Sequence, residues 1–86
     1  MRTLICTHRE TDVTRLRRLF PEKDVWVTSF SRCPAVTVDR ILIISPRHWR
    51  WSEAEARTYA AWREWIPTRL SPEALAAGDR ILEIEL

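Results

Sequence analysis

Four of the five tryptophans, Trp49, Trp51, Trp62 and Trp65, stand in one short stretch interleaved with Arg47, Arg50, Arg57 and Arg63. Indole rings beside guanidinium groups dominate interface hot spots, and the same pairing can stack on nucleobases. A domain of 86 residues needs few large side chains to fill its core, so some of these rings are surplus to packing. Trp62 and Trp65 fall on one helical stripe with Ile66 and read as core. Trp51 precedes the Ser52 cap and reads as a hydrophobic staple against Ala56. Trp26 belongs to a strand pattern and reads as packed beneath a helix. Trp49, between His48 and Arg50, has no packing role in the pattern and is the expected contact residue.

The remaining reactive side chains are sparse. Cys6 and Cys33 are the only cysteines and have no C-x-x-C spacing, so neither a disulfide framework nor a zinc knuckle is indicated. Cys33 with His8 or His48 would make a nucleophile and base, but no motif surrounds them and a free cysteine ordinarily packs as a small hydrophobe. A metal site from Cys6, His8, Cys33 and His48 lacks the usual ligand spacings. Gly78 is the only glycine. Phosphate-cradling loops need several glycines, because Cβ atoms would keep backbone amides from the phosphates. Dinucleotide and nucleotide-triphosphate fingerprints are therefore absent, as is a G-x-S-x-G elbow. No catalytic residue, cofactor or metal is expected.

Composition narrows the class further. An apolar fraction of 45% and a charged fraction of 30% belong to an ordinary globular domain. The longest apolar run, Ile41 to Ile44, is far short of a membrane span, and the first residues do not form a signal peptide. A single cytoplasmic domain over residues 1–86 is the expectation. The net charge is +2, with twelve acids spread among fourteen basic residues, and the isoelectric point is about 8.9. That balance favours protein contact over nucleic acid. Only Lys23 is lysine, a skew that fits GC-rich codons.

Seven elements must position these groups. Leu4-Ile5-Cys6 reads as a buried strand. Thr7 and Glu10 stand at capping-box spacing, with Thr11 as an alternative cap, before a helix with Val13, Leu16, Leu19 and Phe20 on one stripe. Pro21 stops it. Residues 25–30 form a second strand, residues 31–39 are ambiguous, and Ile41–Ile44 forms a third, apolar on both faces. Ser52 and Glu55 cap a helix whose broad face carries Ala54, Tyr59, Ala61, Trp62, Trp65 and Ile66. Ser71-Pro72-Glu73 opens a short helix, Gly78 ends it, and Leu82, Ile84 and Leu86 alternate with Glu83 and Glu85 in an edge strand.

Two architectures fit this order. One is a minimal flavodoxin-like or Rossmann-like α/β sandwich with a mostly parallel sheet in order 2-1-3-4. The other is a ferredoxin-like split β-α-β sheet, with strands two and three as a hairpin. The short connection favours the hairpin. The unbroken Ile41–Ile44 run needs cover on both faces and favours the parallel sheet, which is the expectation. Parallel strands would gather three turns at the carboxyl rim: Thr7, His8 and Arg9; Ser31, Arg32 and Cys33; and Arg47, His48, Trp49 and Arg50. The expected binding residues are Arg9, Arg32, Arg47, His48, Trp49 and Arg50.

Thr7-His8-Arg9, Asp39-Arg40, Ser71-Pro72-Glu73-Ala74-Leu75 and Gly78-Asp79-Arg80-Ile81-Leu82 together resemble small orphan accessory proteins of actinobacterial phages. Those look like truncated Rossmann or helicase-type half-domains. The resemblance is one of pattern over most of the chain and carries no catalytic residue. It implies a small accessory protein of a high-GC phage or its host. The residues themselves point to a non-enzymatic protein that docks on a partner or forms a homodimer. The alternative is a module binding nucleic acid or a phosphate ligand through Arg9, Arg32, Arg47 and Arg50. On the docking reading, Trp49→Ala weakens association by more than about 1 kcal/mol without unfolding the domain. Pull-down and sedimentation assays measure it.

Overall fold

The computed structural model describes residues 1–45 and 50–85. In chain order the elements are β1 (Thr3–Thr7), α1 (Glu10–Leu19), β2 (Val25–Ser29), β3 (Arg40–Ser45), α2 (Glu53–Trp65), α3 (Pro72–Ala77) and β4 (Ile81–Glu85). Single 3-10 turns occupy Phe30–Arg32 and Ile66–Arg69. The four strands form one all-parallel sheet in the order β2-β1-β3-β4. The parallel α/β sandwich is therefore the fold, and the ferredoxin-like hairpin is not, because β2 and β3 flank β1 instead of pairing.

Burial explains the choice. Every residue of β1 is buried, and Ile41, Ile43 and Ile44 of β3 are buried with them. Strands apolar on both faces need layers above and below, which a parallel sheet with crossover helices supplies. On one face Leu4, Cys6, Ile41 and Ile43 meet Trp62, Ile66, Leu70 and Ala74 from α2, the following turn and α3. On the other, Ile5, Val27 and Ile44 meet Leu16 of α1, with Val13, Val25 and Leu42 beside them.

The connection from β2 to β3 crosses the sheet with no helix. Its backbone groups are satisfied elsewhere. Val38 N–H donates to the Arg69 carbonyl (2.8 Å), and the Val38 carbonyl accepts from Ser71 N–H (2.9 Å). Asp39 ties back to Arg2 through both its backbone N–H and its carboxylate, each at 2.8 Å. Val38 thus forms an isolated parallel bridge with Leu70, separate from β3. This accounts for a segment whose residues read as strand-like yet lie outside the sheet.

Two caps form as their spacing implies. Ser52 Oγ accepts from Glu55 N–H (3.2 Å) while Glu55 Oε1 accepts from Ser52 N–H (3.1 Å). Ser71 caps α3, Pro72 fills its first position, and Gly78 closes it in the left-handed region at φ +78°. The α1 cap differs from both expected alternatives. Thr7 is consumed by β1, and Arg9 stands at the N-cap, where its side chain caps no backbone N–H of the helix. Glu10 and Asp12 in the first turn, and Arg17 and Arg18 in the last, still complement the helix dipole.

Gly78→Ala isolates one conformational term, because nothing lies within 4 Å of the added Cβ. The expected cost is about 1 kcal/mol, all of it from holding an L side chain at positive φ. Urea unfolding of the two proteins measures it.

Candidate functional site

The crossovers from β1 and β3 leave in opposite directions, so the topological switch point lies between these two strands at their carboxyl ends. His8 follows β1 there, and Ser45 ends β3. His8 Nε2 and Ser45 Oγ are hydrogen-bonded at 2.5 Å, joining the two strand ends. The imidazole is ringed by Trp51, Phe30 and Tyr59, at centroid separations of 4.3, 4.7 and 5.6 Å. A cavity of about 290 Å³ opens beside it, lined among others by Glu10, Ser29, Trp51, Glu55 and Tyr59. Burial lowers the His8 pKa, and the Glu55 and Glu83 carboxylates only partly oppose that shift. Its imidazole is therefore neutral at pH 7.

A neutral histidine against a serine hydroxyl has the form of a base and nucleophile. Pro46 follows Ser45 and has no N–H to form part of an oxyanion hole. The bond's evident physical effect is to clasp β1 to β3 beneath an aromatic cluster.

The parallel sheet brings Arg9 and Arg32 to the same rim, but each is held by a carboxylate. Arg9 Nε lies 2.9 Å from Asp12, and Arg32 Nε lies 3.1 Å from Glu10. Those acids occupy the first turn of α1, so the charge there is balanced. Arg50 is exposed, while Arg47, His48 and Trp49 lie outside the described residues. Cys33 contacts Cys6, Arg69 and Trp62, not His8. Among the described residues no group of three or more metal-ligating side chains occurs.

The tryptophans match their expected roles only in part. Trp62 is core, but Trp65 is 37% exposed and lies 5.0 Å from the Arg69 guanidinium. Trp51 packs on the His8 and Tyr59 rings. Trp26 is half-buried, with the Arg2 guanidinium 5.0 Å from its ring.

A larger feature lies on the α1 face of the sheet. α1 packs chiefly over β1 and β2, and its Leu16 reaches Ile44 of β3. No described helix covers β3 and β4 on that side. Register places Leu42 beside Leu82 and Ile44 beside Ile84. Leu82 is 49% exposed, Ile84 38%, and Leu19 at the neighbouring edge of α1 is 64% exposed. A groove of about 250 Å³ runs between α1 and β3 over Leu16, Leu19 and Ile44. Arg15 borders the groove together with the Arg9–Asp12 pair, and no carboxylate among the described residues pairs with Arg15. Arg40, bonded to Thr3 Oγ1 on the same face, stands at its foot.

The alternation in β4 therefore runs opposite to a simple core-facing pattern. Glu83 points to the helix-covered face, where it accepts from Tyr59 Oη (2.6 Å) and pairs with Arg63 (3.4 Å). The leucine and isoleucine point to the bare one. The available signal was the helix-free β2–β3 connection, which leaves α1 as the only helix for that face.

No known protein family matches the chain, and no curated protein or solved structure shows significant similarity to it.

The lowered pKa of His8 sets a pH dependence. In the unfolded chain His8 returns to its ordinary value of 6.5 and binds a proton more readily than in the fold. Stability is then lost as pH falls through 6.5. His8→Gln is expected to flatten the drop in Tm between about pH 7.5 and about pH 5. Thermal melts across that range test it, and an unchanged drop would assign the loss to other groups.

Proposed function

We propose that this protein is a non-enzymatic docking factor whose shelf over β3 and β4 receives an amphipathic helix from a partner protein. The observation that carries this reading is the contiguous set of exposed aliphatic residues, Leu19, Leu82 and Ile84, continuous with the core through Ile44. Apolar patches rimmed by charge mark interaction sites on small soluble domains. A five-residue strand spans about 17 Å, and a helix of about eleven residues covers the same length. Arg15 and Arg40 beside the shelf call for acidic flanks on that helix.

A second copy fits less well. Its own exposed helix in this region, α1, carries Arg15, Arg17 and Arg18 and would meet arginines of like charge. Nucleic acid is the other alternative, and the aliphatic shelf offers bases no ring face to stack on. The resemblance to small phage accessory proteins is in keeping with a factor that works by docking.

The test is titration with two synthetic amphipathic helices sharing a leucine face, one flanked by glutamates and one by lysines. The acidic helix is expected to bind, and Leu82→Glu is expected to weaken it by more than about 1 kcal/mol while far-UV CD stays unchanged. Equal binding of both helices, a stable dimer in sedimentation, or preferential, steeply salt-dependent DNA binding would each overturn the reading.

A further inference from the structure

The sulfurs of Cys6 and Cys33 meet in the core on the opposite face of the sheet from the docking shelf. Cys6 is fully buried in the middle of β1, with Thr28 of β2 as its register partner. Thr28 Oγ1 donates to the Arg32 carbonyl (2.8 Å), folding the chain that leaves β2 back over the sheet. Cys33, the next residue, thereby packs against the cluster that contains Cys6. Both cysteines are free, and their thiols lie within hydrogen-bonding reach of one another.

Two further groups converge on Cys33. Arg69 faces the sulfur and donates from Nε to the adjacent Pro34 carbonyl (3.1 Å). Trp62, only 3% exposed, directs its indole N–H toward the same sulfur. That nitrogen has no conventional hydrogen-bond acceptor. A buried donor without an oxygen partner is unfavourable beside a neutral thiol and becomes favourable beside a sulfur anion. The three donors together form a receptor for negative charge on one atom.

We infer that Cys33 and Cys6 form a two-thiol redox site, in which a small hydroperoxide oxidises Cys33 and Cys6 then closes a disulfide. The Cys33 thiolate attacks the outer peroxide oxygen, the O–O bond breaks, and the alkoxide leaves and takes a proton from water. The product is a sulfenic acid on Cys33. The Cys6 sulfur then attacks the Cys33 sulfur. An S–S bond forms as the S–O bond breaks, and the departing hydroxide leaves as water with the Cys6 proton. Two thiols lose two electrons, and the hydroperoxide is reduced to an alcohol and water. A small thiol reductant reverses the change by exchange.

The order of events follows from access and charge. Cys33 is half-buried, whereas Cys6 is fully buried. The Cys6 thiol, with Arg69 and Trp62 assisting, holds Cys33 down at about 7 against the opposing effect of burial. The Cys6 pKa is pushed up by its bond to Cys33 and by burial, so Cys6 keeps its proton.

Hydrogen peroxide treatment at neutral pH, followed by thiol titration and peptide mapping, tests the site. The expected result is loss of both thiols within one chain, a Cys6–Cys33 link, and full reversal by dithiothreitol. Cys6→Ala, which keeps the core apolar, is expected to stop at a dimedone-trappable sulfenic acid on Cys33. Trp62→Phe keeps the ring and removes the N–H. Its Cys33 alkylation midpoint is expected to rise above about 7, with Cys6 and Arg69 still lowering it. Retention of both thiols, oxidation only to intermolecular dimers or sulfinic acid, or an unmoved Trp62→Phe midpoint would overturn the inference.

Discussion

The whole arrangement depends on β1 being hydrogen-bonded along both edges and closed to water on both faces. Each of its five residues pairs with β2 on one side and β3 on the other, in one continuous parallel register. Its side chains then have to alternate between two cores. Leu4 and Cys6 enter the layer beneath α2 and α3, while Ile5 enters the layer beneath α1. Once this strand is central, His8 must emerge at the switch point and Cys6 must lie under the returning β2–β3 segment. Both polar features are consequences of burying one short apolar run.

The same constraint produces the asymmetry of the molecule. Parallel neighbours need crossovers, and a helix is their ordinary means of covering a sheet. The β3–β4 crossover contains α2 and α3, and β1–β2 contains α1, but β2–β3 contains only a 3-10 turn and an extended strap. The strap satisfies its backbone by bridging Val38 to Leu70, so it needs no helix of its own. The cost is a position above β3 and β4 that no described helix fills. In so small a domain that position is a large share of the apolar surface, which is why Leu82 and Ile84 remain in water.

Much of the fold was legible because its signals are local. Ile41–Ile44 announced a buried strand, although no described helix lies over β3 on the α1 side, and the Ser52–Glu55 and Ser71-Pro72 patterns announced two helix starts that formed as written. Where the reading diverged, tertiary context overruled a local signal. The hydroxyl of Thr7 could have capped α1, but β1 needed its backbone. Trp65 shares a stripe with Trp62, yet α2 is too narrow a cover to bury both. The Leu82–Ile84 alternation correctly marked a strand, but the period of two cannot say which face lacks a helix. The rim was half legible: parallel strands do gather Arg9 and Arg32, while their pairing to Asp12 and Glu10 depends on where α1 begins. The His8–Ser45 clasp and the Cys6–Cys33 pair join residues 37 and 27 positions apart in sequence, a juxtaposition no local spacing encodes.

The edge of β4 bears on how a partner would approach. An outer parallel strand offers unpaired N–H and C=O groups to any other strand. Two copies of β4 related by a two-fold axis would have to pair antiparallel, with like faces aligned. Centring that pair on Glu83 sets Glu83 against itself. Centring it on Ile84 sets Glu83 against Glu85, and on Leu82 it sets Asp79 against Glu85. Every register opposes acid to acid, and directly opposed like charges destabilise a ladder. Glu83 is also already engaged by Tyr59 and Arg63 on the helix-covered face. The edge is thus guarded electrostatically against backbone pairing, while the adjoining face is not.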